Sequence, residues 1–407
     1  MWADSPDETL PVVSGFGVVS SIGVGAQAFW AAVQSGATSA RPVRAFPTDG
    51  LRNHVGCEID DVTLRGYESL PRASRLAAIA AGEALDRAGL APEEIGGLCV
   101  GTTMGDLPAV ERQLGKAAGN GQHGDDGGEP RLLSTLGSNL ADRIAGAIGV
   151  RGPGLTLGTS CSAGNLAICR AADLIRAGRC SRLLAGGTDS FSRLAFIGFS
   201  RMRAMAPERC TPFSRERKGM LLGEGAAFLV VESLASARAR GARVYAALAG
   251  YGLSCDAHHV ATPDATGRGA AAAMQQALKS GGLAPAAVDY VCAHGTGTPA
   301  NDLAESRACH LVFGERVPFV SSLKALLGHA LGAASAIEAV ASVLCLSEQR
   351  LIPAWNVDQP DPECRVPLPL PGEPAGAGPL DLILSNAFAF GGNNSCVAFS
   401  RLASNAA

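Results

Sequence analysis

Short, continuous apolar runs recur along the chain. Three of them are RLLAGG from Arg182, AAFLVVES from Ala226 and LDLILSNA from Leu380. Runs of this length without polar alternation are typical of strands that are covered on both faces of a sheet. The pattern therefore predicts an α/β protein with layered helices and sheets, rather than an all-α or all-β fold.

One helical pattern occurs twice, 193 positions apart. The first copy, RLAAIAAGEALDRAGLAPEEIGGLCVG, starts at Arg75, and the second, RGAAAAMQQALKSGGLAPAAVDYVCAH, starts at Arg268. Each copy predicts an Ala-rich helix, a glycine stop, a turn led by proline and a short buried strand that contains Cys99 or Cys292. Such a repeat indicates that the chain consists of two similar α/β halves.

A second, weaker repeat pairs the apolar segments that begin at Ala163 and Ala333, which are 170 positions apart. The difference in spacing implies roughly two dozen extra residues in the first half. The stretch Ala117–Pro130 has loop composition and is the predicted place for them. We expect the halves to be residues 1–243 and 244–407.

The two segments of this second repeat are predicted to be central helices. If they lie side by side across a pseudo-twofold axis, Cys161 falls opposite Leu331, two residues after His329. The apolar stretch Leu326–Leu346 is also long enough to cross a membrane. Because His329 and Glu338 would be costly in lipid, we interpret it as a buried helix whose polar residues need partners.

Composition narrows the function classes. The 407 residues are 47% hydrophobic and 17% charged, with a net charge of −3, which is typical of a globular protein with two or more domains. No basic run is present, which disfavours nucleic acid and anionic membrane surfaces as partners. The N-terminus lacks the pattern of a secretory signal, which predicts a cytoplasmic location. The twelve cysteines are scattered, so we expect neither a disulfide framework nor a metal site.

One cysteine stands at a candidate catalytic turn. Cys161 lies in GTSCSAG, a run of small residues that opens the first central helix. A helix N-terminus stabilises a thiolate, and its backbone N–H groups can hold an oxyanion. A serine hydrolase is excluded because the closing glycine of G-x-S-x-G is missing. From this stretch alone, a structural cysteine in a Gly/Ser turn remains an alternative.

Two further segments offer partners for this cysteine. His294 ends a repeated strand and begins HGTGTP, whereas SSLKALLGHALG contains Lys324 and His329, with Glu338 further along. A lone histidine at a strand end is often structural, but two imidazoles, a lysine and a glutamate beside a cysteine form a coherent set for acyl transfer. The remaining histidines are interpreted as structural or solvated: His54, His123, His258, His259 and His310.

These motifs, taken together, resemble the thiolase superfamily of condensing enzymes. The cysteine turn, HGTGTP, K-x-x-x-G-H and NAFAFGGNN are most similar to the β-ketoacyl-acyl carrier protein synthases (ketosynthases) of the type I/II elongating class. The resemblance runs almost end to end, through VVSGFGVVSSIG, PFSRERKGMLLGEGAA and GYGLSCDAHHVATPD. Several motifs in one order are far more specific than any single match.

The resemblance implies a thiolase-like five-layered αβαβα fold built from two duplicated halves. It implies that Cys161 accepts the acyl group, and that His294 and His329 bind the thioester carbonyl of the malonyl-carrier and stabilise the enolate formed on decarboxylation. Lys324 and Glu338 match positions that order this site electrostatically.

The resemblance also implies a set of substrate-binding positions. Thr296 and Thr298 match hydroxyls that contact the phosphopantetheine arm, and Met104 falls where the family controls the depth of the acyl pocket. Phe390 matches a gating aromatic whose backbone N–H pairs with that of Cys161 as the oxyanion hole. The substrate-binding set is Thr296, Thr298, Phe390, Gly391 and Met104.

The implied reaction has two stages. An acyl group moves from an acyl carrier protein to the cysteine, and a decarboxylative Claisen condensation with malonyl-carrier then gives a β-ketoacyl product and CO₂. No cofactor or metal is implied, because the carrier supplies the phosphopantetheine. The implied assembly is a homodimer, or a heterodimer with a chain-length-factor-like homologue.

Several positions depart from the family pattern. Ser160 stands where alanine is common, Asn165 occupies a position often held by another residue, and Ser214 replaces an aspartate. The stretch RKGM, Arg217–Met220, replaces the usual R-D-G-F. These changes leave the catalytic set intact, and a pathway to a polyene, polyketide or other specialised lipid is at least as consistent with them as primary fatty-acid synthesis.

Other functions remain in competition. A chain-length-factor-like subunit would lack the nucleophile, a thiolase or type III-like enzyme would pair cysteine with a different second set, and a carrier-dependent acyltransferase would stop after the first stage. An acidic carrier would meet basic residues near the tunnel mouth. Candidates on charge alone, with solvated surface arginines as the alternative, are Arg72, Arg75, Arg201, Arg203 and Arg209.

Overall fold

The computed structural model describes residues 8–111, 139–372 and 378–402. The predicted loop Ala117–Pro130, with His123 in it, lies outside the described residues, so its assignment stays a prediction.

Thirteen strands occur in the described part of the chain. They are β1 (Pro11–Ser20), β2 (Gly23–Val24), β3 (Arg41–Pro42), β4 (Val55–Gly56), β5 (Leu98–Gly101), β6 (Gly154–Leu157), β7 (Arg182–Asp189), β8 (Gly225–Ser233), β9 (Ala246–Cys255), β10 (Tyr290–Cys292), β11 (Phe319–Ser321), β12 (Leu382–Ala389) and β13 (Asn393–Ser400).

Ten α-helices lie entirely within the same described ranges. They are α1 (Ala26–Ser35), α2 (Arg72–Ala88), α3 (Leu140–Ile148), α4 (Ala163–Arg176), α5 (Arg193–Arg201), α6 (Leu234–Ala239), α7 (Arg268–Ser280), α8 (Pro299–Phe313), α9 (Lys324–Leu327) and α10 (Ala334–Glu348).

The two halves have the same strand order. The first half runs β6-β5-β7-β8-β1 and the second runs β11-β10-β12-β13-β9, with parallel and antiparallel neighbours at the same places. They join where Val12 and Val13 of β1 pair with Ala247 and Ala246 of β9. This common topology confirms the predicted duplication. The predicted boundary between residues 243 and 244 falls between α6 and β9 and stays a prediction.

Helices and strands form five layers. Helices α2 and α3 pack on the outer face of the first half, and α7 packs on the second half with α8 against it. Helices α4 and α10 lie between the halves, since α4 contacts both β7 and β13 and α10 contacts both β8 and β12. The αβαβα fold implied by the resemblance is therefore confirmed.

The repeated sequence pattern produces the same local structure twice. Helix α2 ends at Gly89, which adopts a left-handed φ of 64°, and a 3₁₀ turn at Pro92–Glu94 leads into β5. In the second half, α7 is followed by a 3₁₀ turn at Pro285–Ala287 and then by β10. Glycine stops and proline-led turns therefore act as the sequence predicts.

The central helices meet at aligned positions of the second repeat. The backbone N–H of Asn165 in α4 donates to Oγ of Ser335 in α10 over 3.0 Å, and these residues are 170 positions apart. A Cβ on Gly164 would lie 2.7 Å from the backbone nitrogen of Ala336, so only glycine permits this approach. The contact confirms that the helices lie side by side.

The stretch Leu326–Leu346 is not one helix, which corrects the prediction. Helix α9 ends at Gly328, which has a φ of 68°, and Leu331 has a φ of 53° before α10 begins. The chain therefore leaves the helical path, and His329 lies in the break between α9 and α10. The following helix is long and apolar enough to span a membrane, but 89% of its apolar window is buried inside the protein.

Candidate active site

Cys161 lies in a tight turn between β6 and α4. Ser160 adopts a left-handed φ of 54°, and its carbonyl accepts the backbone N–H of Ala163 over 3.1 Å. Oγ of Ser162 donates to the carbonyl of Thr159 over 2.8 Å, which fixes the turn from the other side. A left-handed serine is strained, so the turn is held by these bonds. The turn presents Cys161 at the wall of a cavity.

This cavity brings together residues from both halves. Its volume is about 490 Å³, and its wall includes most of the predicted site. The predicted residues on the wall are Cys161, His294, Thr296, Thr298, His329 and Phe390. Distant sequence motifs therefore converge on one space.

The tautomer of His329 follows from its backbone contact. Its Nδ1 accepts the N–H of Leu331 over 3.1 Å, so in the neutral ring Nε2 carries the hydrogen. The backbone on either side is held as well, since the N–H of His329 donates to Leu221 over 2.7 Å and its carbonyl accepts from Gly223. The ring therefore offers one N–H donor.

His294 follows β10, and its tautomer is set by a lysine. Nζ of Lys324 lies 3.4 Å from Nδ1 of His294 and 2.6 Å from the carbonyl oxygen of the same residue. An ammonium group only donates, so Nδ1 accepts and Nε2 carries the hydrogen. The two imidazole rings are 5.3 Å apart between centroids and nearly perpendicular. The site thus has two N–H donors of the same kind.

Both histidines are held neutral. Burial lowers the pKa of His294 well below its usual value, and the charge of Lys324 and the neighbouring His329 lower it further. Burial, followed by the charge of Lys324, lowers the pKa of His329 in the same way. Neutral rings act as hydrogen-bond donors without adding charge to the ground state.

The lysine is neutralised by a carboxylate inside the core. Lys324 and Glu338 form a short ion pair, and both side chains are almost completely buried. Burial raises the pKa of Glu338 to about 7, and Lys324 opposes this rise. Removing one member of such a pair leaves the other charge buried and uncompensated, so the two residues act as a unit.

The cysteine differs from the expectation of a stabilised thiolate. Burial raises the pKa of the Cys161 thiol to about 12, although Lys324 lowers it. Only 7% of the residue is exposed, so burial disfavours the thiolate. Burial therefore opposes the stabilisation that the helix N-terminus was predicted to give.

The two threonines and the phenylalanine stand at the wall as implied. Oγ1 of Thr296 and Oγ1 of Thr298 are 2.8 Å apart, and Thr298 also caps α8 by accepting the N–H of Asn301. The ring of Phe390 packs on Phe199 at a centroid distance of 5.5 Å. Thr298 therefore has a structural task besides any contact with substrate.

Two predicted substrate-binding residues do not reach this cavity. Gly391 donates its N–H to Val260 over 2.8 Å, and Gly392 stands on the wall in its place. Met104 packs instead in an apolar cluster that includes Phe196 and Leu331. Neither residue lines the cavity of the single chain.

Sequence reasoning missed the carboxylates that hold the histidine loop. Glu305 of α8 accepts the N–H of His294 over 2.9 Å and that of Gly295 over 2.8 Å. Asp302, one turn earlier, accepts the N–H of Gly297 over 3.1 Å and that of Phe213. Burial raises the pKa of Glu305 to about 7 despite these donors. Acidic residues in the first turns of the helix after HGTGTP were the available signal.

Asp189 was missed as well, and it links the two halves behind the site. Its carboxylate accepts the N–H groups of Thr103, Met104 and Gly105 at 2.7–2.9 Å, and that of Gly332 over 2.6 Å. Gly332 follows His329 by three residues, so Asp189 fixes the break that carries this histidine.

The arginine candidates fall into two groups. Arg72 donates to buried Glu224 over 2.6 Å, and Arg75 donates to the carbonyl of Gly66 over 2.9 Å, so both have structural partners. Their role in docking the carrier stays a prediction. Arg209 pairs with Asp358. Arg201 and Arg203 are exposed, and only Arg203 reaches the cavity.

Comparisons with family models and with known proteins agree on one family. Residues 11–237 match the model of the beta-ketoacyl synthase N-terminal domain, and residues 245–358 match the C-terminal domain. The 3-oxoacyl-[acyl-carrier-protein] synthase 2 of Synechocystis sp. is 34% identical over 96% of this chain and 97% of its own length. Nodulation protein E of Rhizobium meliloti is 36% identical over 96% and 99%.

Solved structures agree with these relatives. A chain of the ishigamide ketosynthase/chain length factor has a TM-score of 0.89 and 35% identity, covering 97% of this chain and 99% of its own. A chain of AntDE:AntF, a type II polyketide synthase acyl-carrier protein in complex with its ketosynthase, has a TM-score of 0.86 and 29% identity, with the same two coverages.

Proposed function

The chain belongs to the β-ketoacyl synthase family, and from that premise we propose that it condenses an acyl thioester held on Cys161 with malonyl-acyl carrier protein. The products are β-ketoacyl-acyl carrier protein and CO₂. The observation that carries this proposal is the pair of neutral imidazoles, each with hydrogen on Nε2, on the same cavity as the cysteine.

In the first stage, Sγ of Cys161 attacks the carbonyl carbon of the acyl-carrier thioester. The S–C bond to the enzyme forms, the bond to the carrier sulfur breaks, and the carrier thiol takes up the proton lost from the cysteine. We assign the backbone N–H groups of Cys161 and Phe390 to the oxyanion of this step. Lys324 supports the step because its charge lowers the pKa of the thiol.

In the second stage, the two Nε2–H groups donate to the thioester carbonyl oxygen of malonyl-carrier. Loss of CO₂ leaves its bonding electrons on the α-carbon, and the carbonyl oxygen carries the enolate charge. Two donors that are already oriented stabilise this charge more than they stabilise the ground-state carbonyl. The α-carbon then attacks the acyl group on Cys161, and the cysteine sulfur leaves.

The phosphopantetheine arm of the carrier is proposed to enter past Thr296 and Thr298, and the chain needs no cofactor of its own. The pathway is fatty acid or polyketide biosynthesis, in the cytoplasm. Support for a specialised product comes from the 36% identity to nodulation protein E and the 35% identity to the ishigamide protein.

A dimer is part of the proposal. Strand β6 is an edge of the sheet, and Leu155 in it is 38% exposed, so the strand is open to pairing. A homodimer and a heterodimer with a chain-length-factor-like partner both fit this edge. A partner subunit without catalysis is disfavoured by the presence of Cys161, and an acyltransferase without condensation is disfavoured by the two donors.

The test uses the purified full chain with acyl-carrier and malonyl-carrier, alone and with candidate partner subunits. Mass spectrometry is expected to show an acyl adduct on the protein, and a β-ketoacyl-carrier once malonyl-carrier is added. An acyl adduct that never yields the β-ketoacyl product, with any partner, would favour the acyltransferase.

A further inference from the structure

Two exposed cations line the cavity. Arg203 and Lys218 both line it, and both side chains are exposed. Within residues 8–111, 139–372 and 378–402, neither side chain takes part in any ion pair or hydrogen bond. Lys218 is the second residue of RKGM, the stretch that departs from the usual R-D-G-F.

The backbone holds these two cations at the same end of a paired segment. Met205 and Met220 form a parallel bridge, in which the N–H of Met220 donates to Ala204 over 3.0 Å. Arg203 and Lys218 each stand two residues before the bridge, so both precede it from the same end. The fold therefore brings both backbones to the same part of the cavity wall.

The approach of the two segments is tight. Gly219 has a φ of 135°, and a Cβ there would lie 2.5 Å from the carbonyl oxygen of Ala204. Arg203 itself has a left-handed φ of 57°. Two like charges on the wall of one cavity repel each other, and an anion bound between them would relieve that repulsion.

The residues around Arg203 and Lys218 indicate what kind of anion the two cations would bind. The N–H of Gly219 donates to Gly297 over 2.9 Å, so Lys218 adjoins the loop that carries Thr296 and Thr298. A ligand that contacts these hydroxyls therefore lies in the cavity that the two cations line. Arginine and lysine side chains with exposed donors are the usual partners of a phosphate group.

We propose that Arg203 and Lys218 form a phosphate-binding pair that holds the phosphate of the carrier's phosphopantetheine arm at the cavity mouth. This inference rests on the proposed function, because it takes the carrier-bound arm as the ligand. Lys218 is then a specificity-determining residue, since it separates phosphorylated arms from bare pantetheine thioesters.

The test compares phosphopantetheine with pantetheine as free ligands of the full chain by isothermal titration calorimetry. Lys218→Ala is expected to weaken phosphopantetheine binding about tenfold and to leave pantetheine binding unchanged. Lys218→Arg is expected to keep most of the affinity. Arg215→Ala is the matched control, because this arginine is exposed on the same segment but does not line the cavity.

Equal binding of phosphopantetheine by the wild type and Lys218→Ala would overturn the inference, as would equal weakening for both ligands. A loss seen only with the whole carrier protein would also overturn it, because the cations would then bind acidic side chains of the carrier. The calorimetric measurement of binding does not depend on turnover. A wild-type protein without condensation activity would therefore contradict the proposed function, but it would not decide whether Lys218 binds the phosphate.

Discussion

Nζ of Lys324 lies 3.4 Å from Nδ1 of His294 and donates over 2.6 Å to the carbonyl of the same residue. The lysine therefore sets the tautomer of the histidine and holds its backbone at once. Glu338 balances the lysine charge. The histidine that lines the cavity thus depends on a buried ion pair that does not line it, since Lys324 is completely buried.

Replacing the nucleophile should remove the first stage. Cys161→Ala is expected to form no acyl adduct, because no other described cysteine lines the cavity. Intact-mass spectrometry after incubation with acyl-carrier measures this. Cys180→Ala, at a half-buried position away from the cavity, should still acylate. A normal adduct on Cys161→Ala would contradict the assignment.

Removing either imidazole should slow the decarboxylation stage more than the acylation stage. His294→Ala and His329→Ala are expected to slow malonyl-carrier decarboxylation about 100-fold or more, as the loss of one oxyanion donor does elsewhere. Self-acylation should fall less, because these donors serve the enolate. Rates of CO₂ release and of adduct formation measure the two stages. Equal losses in both would count against this division of roles.

The Lys324–Glu338 pair should show different effects on stability and activity. Lys324→Met leaves Glu338 buried without a partner, so it is expected to lower the free energy of unfolding by about 3–5 kcal/mol. The double variant Lys324→Met/Glu338→Leu should recover most of that stability but not decarboxylation, because Nδ1 of His294 still lacks its donor. Urea unfolding and CO₂ release measure the two effects. Recovery of both would mean that the lysine has only a structural role.

The histidines should not titrate near their ordinary pKa. The pKa of His294 and that of His329 both lie well below 6.5 in the folded protein, so the rings stay neutral as the pH falls through 6.5. Decarboxylation by Cys161→Ala is therefore expected to persist below pH 6.5 for as long as the protein stays folded. The unfolded chain does bind protons at these residues near 6.5, so their contribution to stability is lost as the pH falls below that value. A loss of activity with its midpoint at 6.5, while the circular dichroism spectrum stays native, would contradict this.

Glu305 should make stability depend on pH in the opposite direction. Its pKa is raised from 4.5 to about 7, so the folded protein keeps this proton up to about pH 7, whereas the unfolded chain loses it near 4.5. Its contribution is therefore complete below pH 4.5 and is lost as the pH rises to 7. Glu305→Gln should remove this part of the slope, of order 2 kcal/mol, relative to the wild type.

Urea unfolding of both proteins at pH 5 and pH 7.5 measures that difference. Glu93→Gln, at an exposed position, is the control and should follow the wild type. The comparison separates the effect of Glu305 on stability from the effects of Glu338 and the histidines. Those other groups are present in the wild type, in Glu305→Gln and in Glu93→Gln alike. Parallel pH profiles for Glu305→Gln and the wild type would rule out a raised pKa at this residue.

The sequence alone determined the duplication and most of the site. Glycine stops, proline-led turns and apolar runs act locally, so two copies of one pattern predicted two copies of one structure. The second repeat predicted that α4 and α10 lie side by side, and the contact between Asn165 and Ser335 confirms it. The resemblance supplied Cys161, His294 and His329 because their motifs are contiguous in sequence.

Only the tertiary structure decided the protonation states and the supporting carboxylates. Burial raises the pKa of the Cys161 thiol, and that burial depends on both halves at once. Glu305 and Asp189 hold the histidine segments through backbone N–H groups, and which N–H groups a carboxylate accepts is decided only when the chain has folded. Lys218 and Arg203 line one cavity because two segments separated along the chain are paired, and pairing between distant segments is decided by packing rather than by local sequence.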